Sequence, residues 1–155
     1  MRRRHLVALF ATLPLAARAQ DAAQPELPKE ALVIVTRDGA RHAFQVEMAR
    51  TPEQQGVGLM FRESVPADGG MLFDWGVPRE STMWMRNTVS SLDMLFINAD
   101  GTVHRIAENT VPQSLATISS RGPVRATLEL AAGTARRLGL RVGDRVLHPM
   151  FGAAP

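Results

Sequence analysis

Apolar and polar positions alternate in short runs along this chain, and turn-forming residues separate the runs. Residues 31–36 (ALVIVT) form a β-branched apolar run, Arg37-Asp38-Gly39 is a turn signal, and residues 41–48 alternate polar and apolar; together they predict a β-hairpin. Residues 70–75, 81–86, 92–98, 102–108 and 125–131 read as further strands, with Asp100-Gly101 as a tight turn joining two of them. A helix begins at Thr51-Pro52-Glu53-Gln54: Thr51 caps, Pro52 suits the first helical position and Gln54 completes a capping box. Gly56 and Gly58 end it soon. Residues 134–138 predict a second short helix stopped by Gly139, and Gly143-Asp144 a turn into a last strand. Residues 109–123 show no period and two prolines, so they read as a long connection of the kind that carries function. The sum is a mainly β, single-domain fold, a β-sandwich or partly open barrel with one or two short peripheral helices. The absence of long βαβ spacing argues against a doubly wound sheet.

The stretch STMWMRNTVSSLDMLF, residues 81–96, is the most informative. On a strand, Thr82, Trp84 and Arg86 share one face and Ser81, Met83 and Met85 the other. Asp93 interrupts an apolar run, so it is at least half buried and needs a partner. Two readings follow. In one, the stretch is a hairpin whose turn is clasped by Asp93 accepting from Arg86, the Asn87 amide or loop backbone. In the other, Trp84 offers a flat face and Arg86 and Asn87 offer donors to a sugar or a small anion. Glu129 lies in Thr127-Leu-Glu-Leu130, where alternation sends it away from the leucines and onto an exposed face.

The first 19 residues change the picture of charge and compartment. Arg2-Arg3-Arg4, a short apolar stretch and Ala17-Arg18-Ala19 form a signal peptide, its apolar run shorter than the roughly 20 residues a membrane span requires. Domain boundaries follow: leader 1–19, flexible linker 20–30, β-rich domain 31–148 and tail 149–155, with periplasmic or secreted localisation and no stable membrane span after leader cleavage. The leader holds four arginines and no acid, so 14 of the 18 basic residues remain in the mature chain against 15 acidic ones. Nothing basic remains to attract phosphate backbones, which excludes nucleic acid as the expected partner. The chain has no cysteine, which removes disulfides, thiolate catalysis and cysteine metal sites.

Seven methionines remain after the leader, and Met83-x-Met85 places two thioethers on one strand face, the soft donor type that selects Cu(I). Methionine is also an adaptable core filler. His42, His104 and His148 show no metal-ligand spacing, so no metal or other cofactor is expected. Nucleophile-elbow, zinc-protease and phosphate-loop motifs are all missing. Asp93 and Glu129 could in principle form a carboxylate pair for glycan hydrolysis, although nothing in the sequence places them near each other.

Gly58-Leu-Met-Phe-Arg62, Gly70-Met-Leu-Phe73, Trp84-Met-Arg-Asn-Thr88, Leu92-Asp93, Asp100-Gly101, Leu128-Glu-Leu130 with Ala132-Gly133, and Leu138-Gly-Leu140 with Gly143-Asp144 occur in this order. The series resembles the family named domain of unknown function 192, from about Val46 to Val146. Met83, Arg86, Ser90-Ser91 and Ala131 stand where that family usually has phenylalanine, lysine, Ile-Pro and proline. The resemblance implies a small, mostly β, often exported domain with no established reaction. Its motif positions coincide with Arg62, Trp84, Arg86, Asn87, Asp93 and Glu129, the candidate ligand-binding residues. The leading expectation is a non-enzymatic exported module that binds a small polar ligand or glycan fragment around Trp84, Arg86 and Asp93. The alternatives are an envelope glycan-acting enzyme using Asp93 and Glu129, and a methionine-based Cu(I)-binding protein.

Overall fold

A computed structural model describes residues 22–155. The expected signal peptide lies outside them. Seven strands form one sheet: β1 (Lys29–Val35), β2 (Arg41–Ala49), β3 (Gly69–Met83), β4 (Leu92–Ile97), β5 (Val103–Ala107), β6 (Ile118–Ala131) and β7 (Arg145–Leu147). Their order is β5-β4-β6-β3-β2-β1-β7. An isolated bridge between Thr102 and Arg145 brings the two ends together, so the sheet curls into a nearly closed barrel rather than a sandwich. Closure of this kind removes the edges that would otherwise template pairing with other chains. Two short helices lie at its margins, α1 (Pro52–Val57) and α2 (Thr134–Leu138).

The local signals act as chemistry demands. Thr51 accepts from the Gln54 amide while the Gln54 side chain accepts from the Thr51 amide, a complete capping box, with Pro52 in the first turn. Gly139 ends α2 with φ 67°, a conformation open to glycine at little cost. β1 and β2 form the expected antiparallel hairpin, and α1 lies in the crossover between the parallel strands β2 and β3.

Two apolar layers follow from strand alternation. Leu32, Ile34, Phe44, Val46, Leu72, Leu95, Ile97, Leu128 and Leu130 fill the barrel interior. Met71, Phe73, Met83, Met85, Met94, Phe96 and Leu59 form a second cluster on the outer face of β3, β6 and β4. Both faces of the central strands are therefore buried.

Four expectations need correction. Residues 81–96 are not a hairpin: β6 lies between β3 and β4, pairs with both, and keeps them apart. The runs at 70–75 and 81–83 belong to one strand, β3, which passes Val77-Pro78 by irregular pairing against β6, and residues 84–86, expected to continue it, lie beyond its end. β6 begins at Ile118, inside the region read as a long connection, and Pro123 is tolerated because it sits opposite Glu80 in the same irregular zone. Finally, residues 24–30 and 149–155 are not free linker and tail. Gln24 donates to the carbonyls of Gln54 and Gly58, the Leu27 amide donates to Glu47, and Met150 and Phe151 pack on the interior core.

Candidate functional site

On the outer face, β6 is the middle of three strands and carries the polar residues. Glu129 lies in register between Met71 of β3 and Met94 of β4, and Thr127 between Phe73 and Phe96. Thr127 is satisfied: the Trp75 Nε1–H donates to its hydroxyl at 3.2 Å, and the Ser81 hydroxyl lies 3.1 Å away. Glu129 is only 4 % exposed, and burial pushes its carboxyl up to about 8; among the described residues none hydrogen-bonds to it. The sequence reading placed Glu129 on an exposed face. Alternation does point it away from the leucines, but α1 and the following loop cover that face.

The cover leaves a gap. A cleft of ≈ 390 Å³ runs between α1 and the outer face, lined among others by Glu129, Trp75, Trp84, Arg79, Phe73 and Met83. Its volume is in the lower part of the range of about 300–1,000 Å³ usual for small-molecule sites. The α1 wall is fixed by the Gln55 amide, which donates to the carbonyls of Ala49 and Asp74. Gly58 closes the helix onto the barrel: a Cβ there would lie 3.0 Å from the Phe73 ring, so α1 seats this closely only with glycine. The rim carries two cation–π stacks. The Arg79 guanidinium lies 4.4 Å from the Trp75 ring centre, and the Arg86 guanidinium 5.4 Å from that of Trp84. Trp84 is 45 % exposed, an unusual state for the largest apolar side chain.

Of the six residues singled out from sequence, Trp84 and Glu129 meet in this cleft, and Arg86 stands on its rim through Trp84. Asn87 supports the wall. It adopts φ 55°, and its carbonyl accepts from the Phe61 amide at 2.8 Å, tying the 84–91 turn to the loop after α1. Arg62 is elsewhere, paired with both oxygens of Glu47 at 3.2 and 3.0 Å, where it anchors the N-terminal segment.

Asp93 is the main correction. It is fully buried, and its two oxygens accept from the backbone amides of Asn109 at 2.9 Å and Ala135 at 2.8 Å. Gly133 gives α2 no side-chain cap, so Asp93 supplies the acceptor from β4, the strand paired with the end of β6 that leads into α2. It is a clasp made with loop and helix backbone, not with Arg86. It shares the inward face with Leu95 and Ile97, whereas Glu129 shares the outward face with Met71 and Met94. Carboxylates on opposite sides of a sheet cannot flank one glycosidic bond, and the hydrolase pairing falls.

Met83 and Met85 both belong to the buried outer cluster. Among the described residues no group of three or more His, Asp or Glu side chains gathers to hold a metal. Sequence reasoning missed Trp75, Arg79 and Thr127. Their signal was the alternation of positions 71, 73 and 75 with 125, 127 and 129, which becomes legible only once β3 and β6 are known to be neighbours.

No curated protein matches the chain. A Sinorhizobium meliloti 1021 protein provisionally described as a transcription regulator is 47 % identical, with TM-score 0.80, over 83 % of this chain and 99 % of its own. A Novosphingobium aromaticivorans protein of unknown function is 38 % identical, with TM-score 0.77, over 89 % of this chain and 99 % of its own. The model of the uncharacterised family named domain of unknown function 192 matches residues 33–148, so the chain belongs to that family.

Proposed function

We propose that this protein is an exported binding module that takes a small polar ligand or glycan fragment in the cleft between α1 and the outer face of β3 and β6. One observation carries the reading: a buried carboxyl at Glu129, without a hydrogen-bond partner among the described residues, opens into a cleft whose rim presents two tryptophans. An unpaired buried polar group costs about 1–3 kcal/mol, and a ligand that hydrogen-bonds to it recovers part of that. Tryptophan faces suit the apolar faces of sugar rings. The leader-like N-terminus supports export. The acid–base balance after that leader does not favour nucleic acid, so the regulator description of the Sinorhizobium protein is not carried over.

Intrinsic tryptophan fluorescence and thermal shift against neutral sugars, sugar acids, amino sugars and small organic anions test this. Trp84→Ala is expected to abolish any saturable response while leaving the melting temperature of the free protein nearly unchanged, since the indole is half exposed. A response that survives this substitution places the ligand elsewhere.

A further inference from the structure

The cleft is chemically lopsided. Its rim is basic: Arg79 lines it directly, and Arg86 stands against Trp84. Each guanidinium lies over an aromatic face, which restricts it without consuming its hydrogen-bond donors. Glu129 is the sole acidic side chain among the lining residues. It sits on the sheet face between Met71 and Met94, with Phe73 and Thr127 in the next row and Gly58 and Leu59 on the α1 side, none of them charged. A carboxyl in such surroundings stays protonated near neutral pH, so it donates one hydrogen bond and accepts another and contributes little negative charge. The nearby Asp74 carboxylate is already paired with Arg125 and does not neutralise the rim.

From this we infer that the cleft selects a sugar acid, seating the ligand's carboxylate between Arg79 and Arg86 and a ring hydroxyl against the Glu129 carboxyl. The inference rests on the binding reading above and adds polarity to it: anion at the mouth, neutral hydroxyl at the floor. Neutral sugars would forgo the arginines. Amino sugars would bring a cation to a positive rim. A second sign follows from the floor. As pH rises through the ionisation of Glu129, a carboxylate appears facing an anionic ligand, and affinity for the acid falls.

Three probes of nearly equal shape separate these possibilities: glucuronate, glucose and glucosamine, titrated calorimetrically against the intact protein. Glucuronate is expected to bind about tenfold or more tightly than glucose, and glucosamine weakest. Arg79→Gln with Arg86→Gln, both at exposed positions, should bring glucuronate to the level of glucose, and added salt should do the same in part. Between about pH 6 and about pH 9 glucuronate affinity should fall, and Glu129→Gln should flatten that fall while keeping the preference over glucose. Equal affinity for glucuronate and glucose, a preference for glucosamine, or a glucuronate preference that survives loss of both arginines would each overturn the inference. In the first two of those cases, Trp84-dependent binding of glucose or glucosamine would leave the cleft reading standing. If none of the three probes binds, the sugar-acid inference falls, and the cleft reading is decided by the wider panel and Trp84→Ala.

Discussion

Glu129 shows how one residue couples the fold to the candidate site. Its carboxyl is raised from 4.5 to about 8 by burial, so the folded protein holds a proton that the unfolded chain has released over that interval. The sign follows from linkage. Where the folded state binds more protons than the unfolded one, stability falls as pH rises. The contribution is complete below 4.5 and is lost progressively up to about 8, at a slope approaching about 1.4 kcal/mol per pH unit. Glu129→Gln retains shape and hydrogen-bonding capacity but cannot ionise. Urea unfolding of both proteins at closely spaced pH values should therefore show the wild type losing stability relative to the variant from about pH 5 to about pH 8. Parallel stability curves would mean that the carboxyl is solvated and the cleft wetter than described. The contrast with Asp93 is instructive. Two backbone amides donate to that carboxylate, whereas none of the described residues donates to Glu129. Of the four buried acids, Glu47, Asp93 and Asp144 each accept hydrogen bonds from described residues and Glu129 accepts none, which leaves its carboxyl free for a ligand.

At the scale of elements, the decisive contact is the packing of β3 on β6. Gly70, the second residue of β3, lies so close to β6 that a Cβ there would be 2.3 Å from the Glu129 carbonyl oxygen. A methyl group cannot occupy that space without parting the strands. Gly70→Ala is thus expected to cost about 2–3 kcal/mol, the upper part of the usual range for overpacking, and to weaken ligand responses by displacing Glu129. Chemical denaturation and the fluorescence titration read both effects; an unchanged midpoint would show that the strands have slack. Much of this level was legible in the sequence, because its signals are local. Thr51-Pro52-Glu53-Gln54 gave the capping box, Gly139 the end of α2, and Arg37-Asp38-Gly39 the first hairpin. What could not be read was which strands are neighbours. Met83 and Leu92 are close in sequence, and the turn between them suggested a hairpin, yet β6 enters from more than twenty residues away and separates them. That one long-range pairing moved Arg86 away from Asp93 and brought Glu129 to Trp84. The candidate site was therefore half visible: its residue types stood in the motifs, and its geometry did not.

The whole molecule is a sheet closed by a weak seam. β6 is paired on both sides over much of its length, whereas β5 and β7 meet through one bridge, Thr102 with Arg145, and three backbone bonds. These run from Val103 N–H to the Asp144 carbonyl, from Gly143 N–H to that of Val103, and from Val146 N–H to that of Gly101, each 2.8 Å long. Asp144 braces the corner, its carboxylate accepting from the amides of Arg37 and Arg141. Gly101 allows the close approach, since a Cβ there would fall 2.6 Å from the Val146 carbonyl oxygen. Few bonds and short strands mean that this seam opens before the sheet unfolds. Native-state hydrogen exchange should find the amides of Val103, Gly143 and Val146 protected at least about tenfold less than those of β6. Asp144→Asn, which turns one acceptor into a donor facing an amide, should speed exchange at the seam and leave β6 nearly unaffected. Uniform protection across β5, β6 and β7 would instead mean that the barrel opens as one unit. The cleft lies on the far side of the sheet order from the seam, on β3, β6 and α1. A protein that breathes at β5 and β7 while holding β3 against β6 keeps Glu129 and the two tryptophans in place, which a preorganised binding site requires.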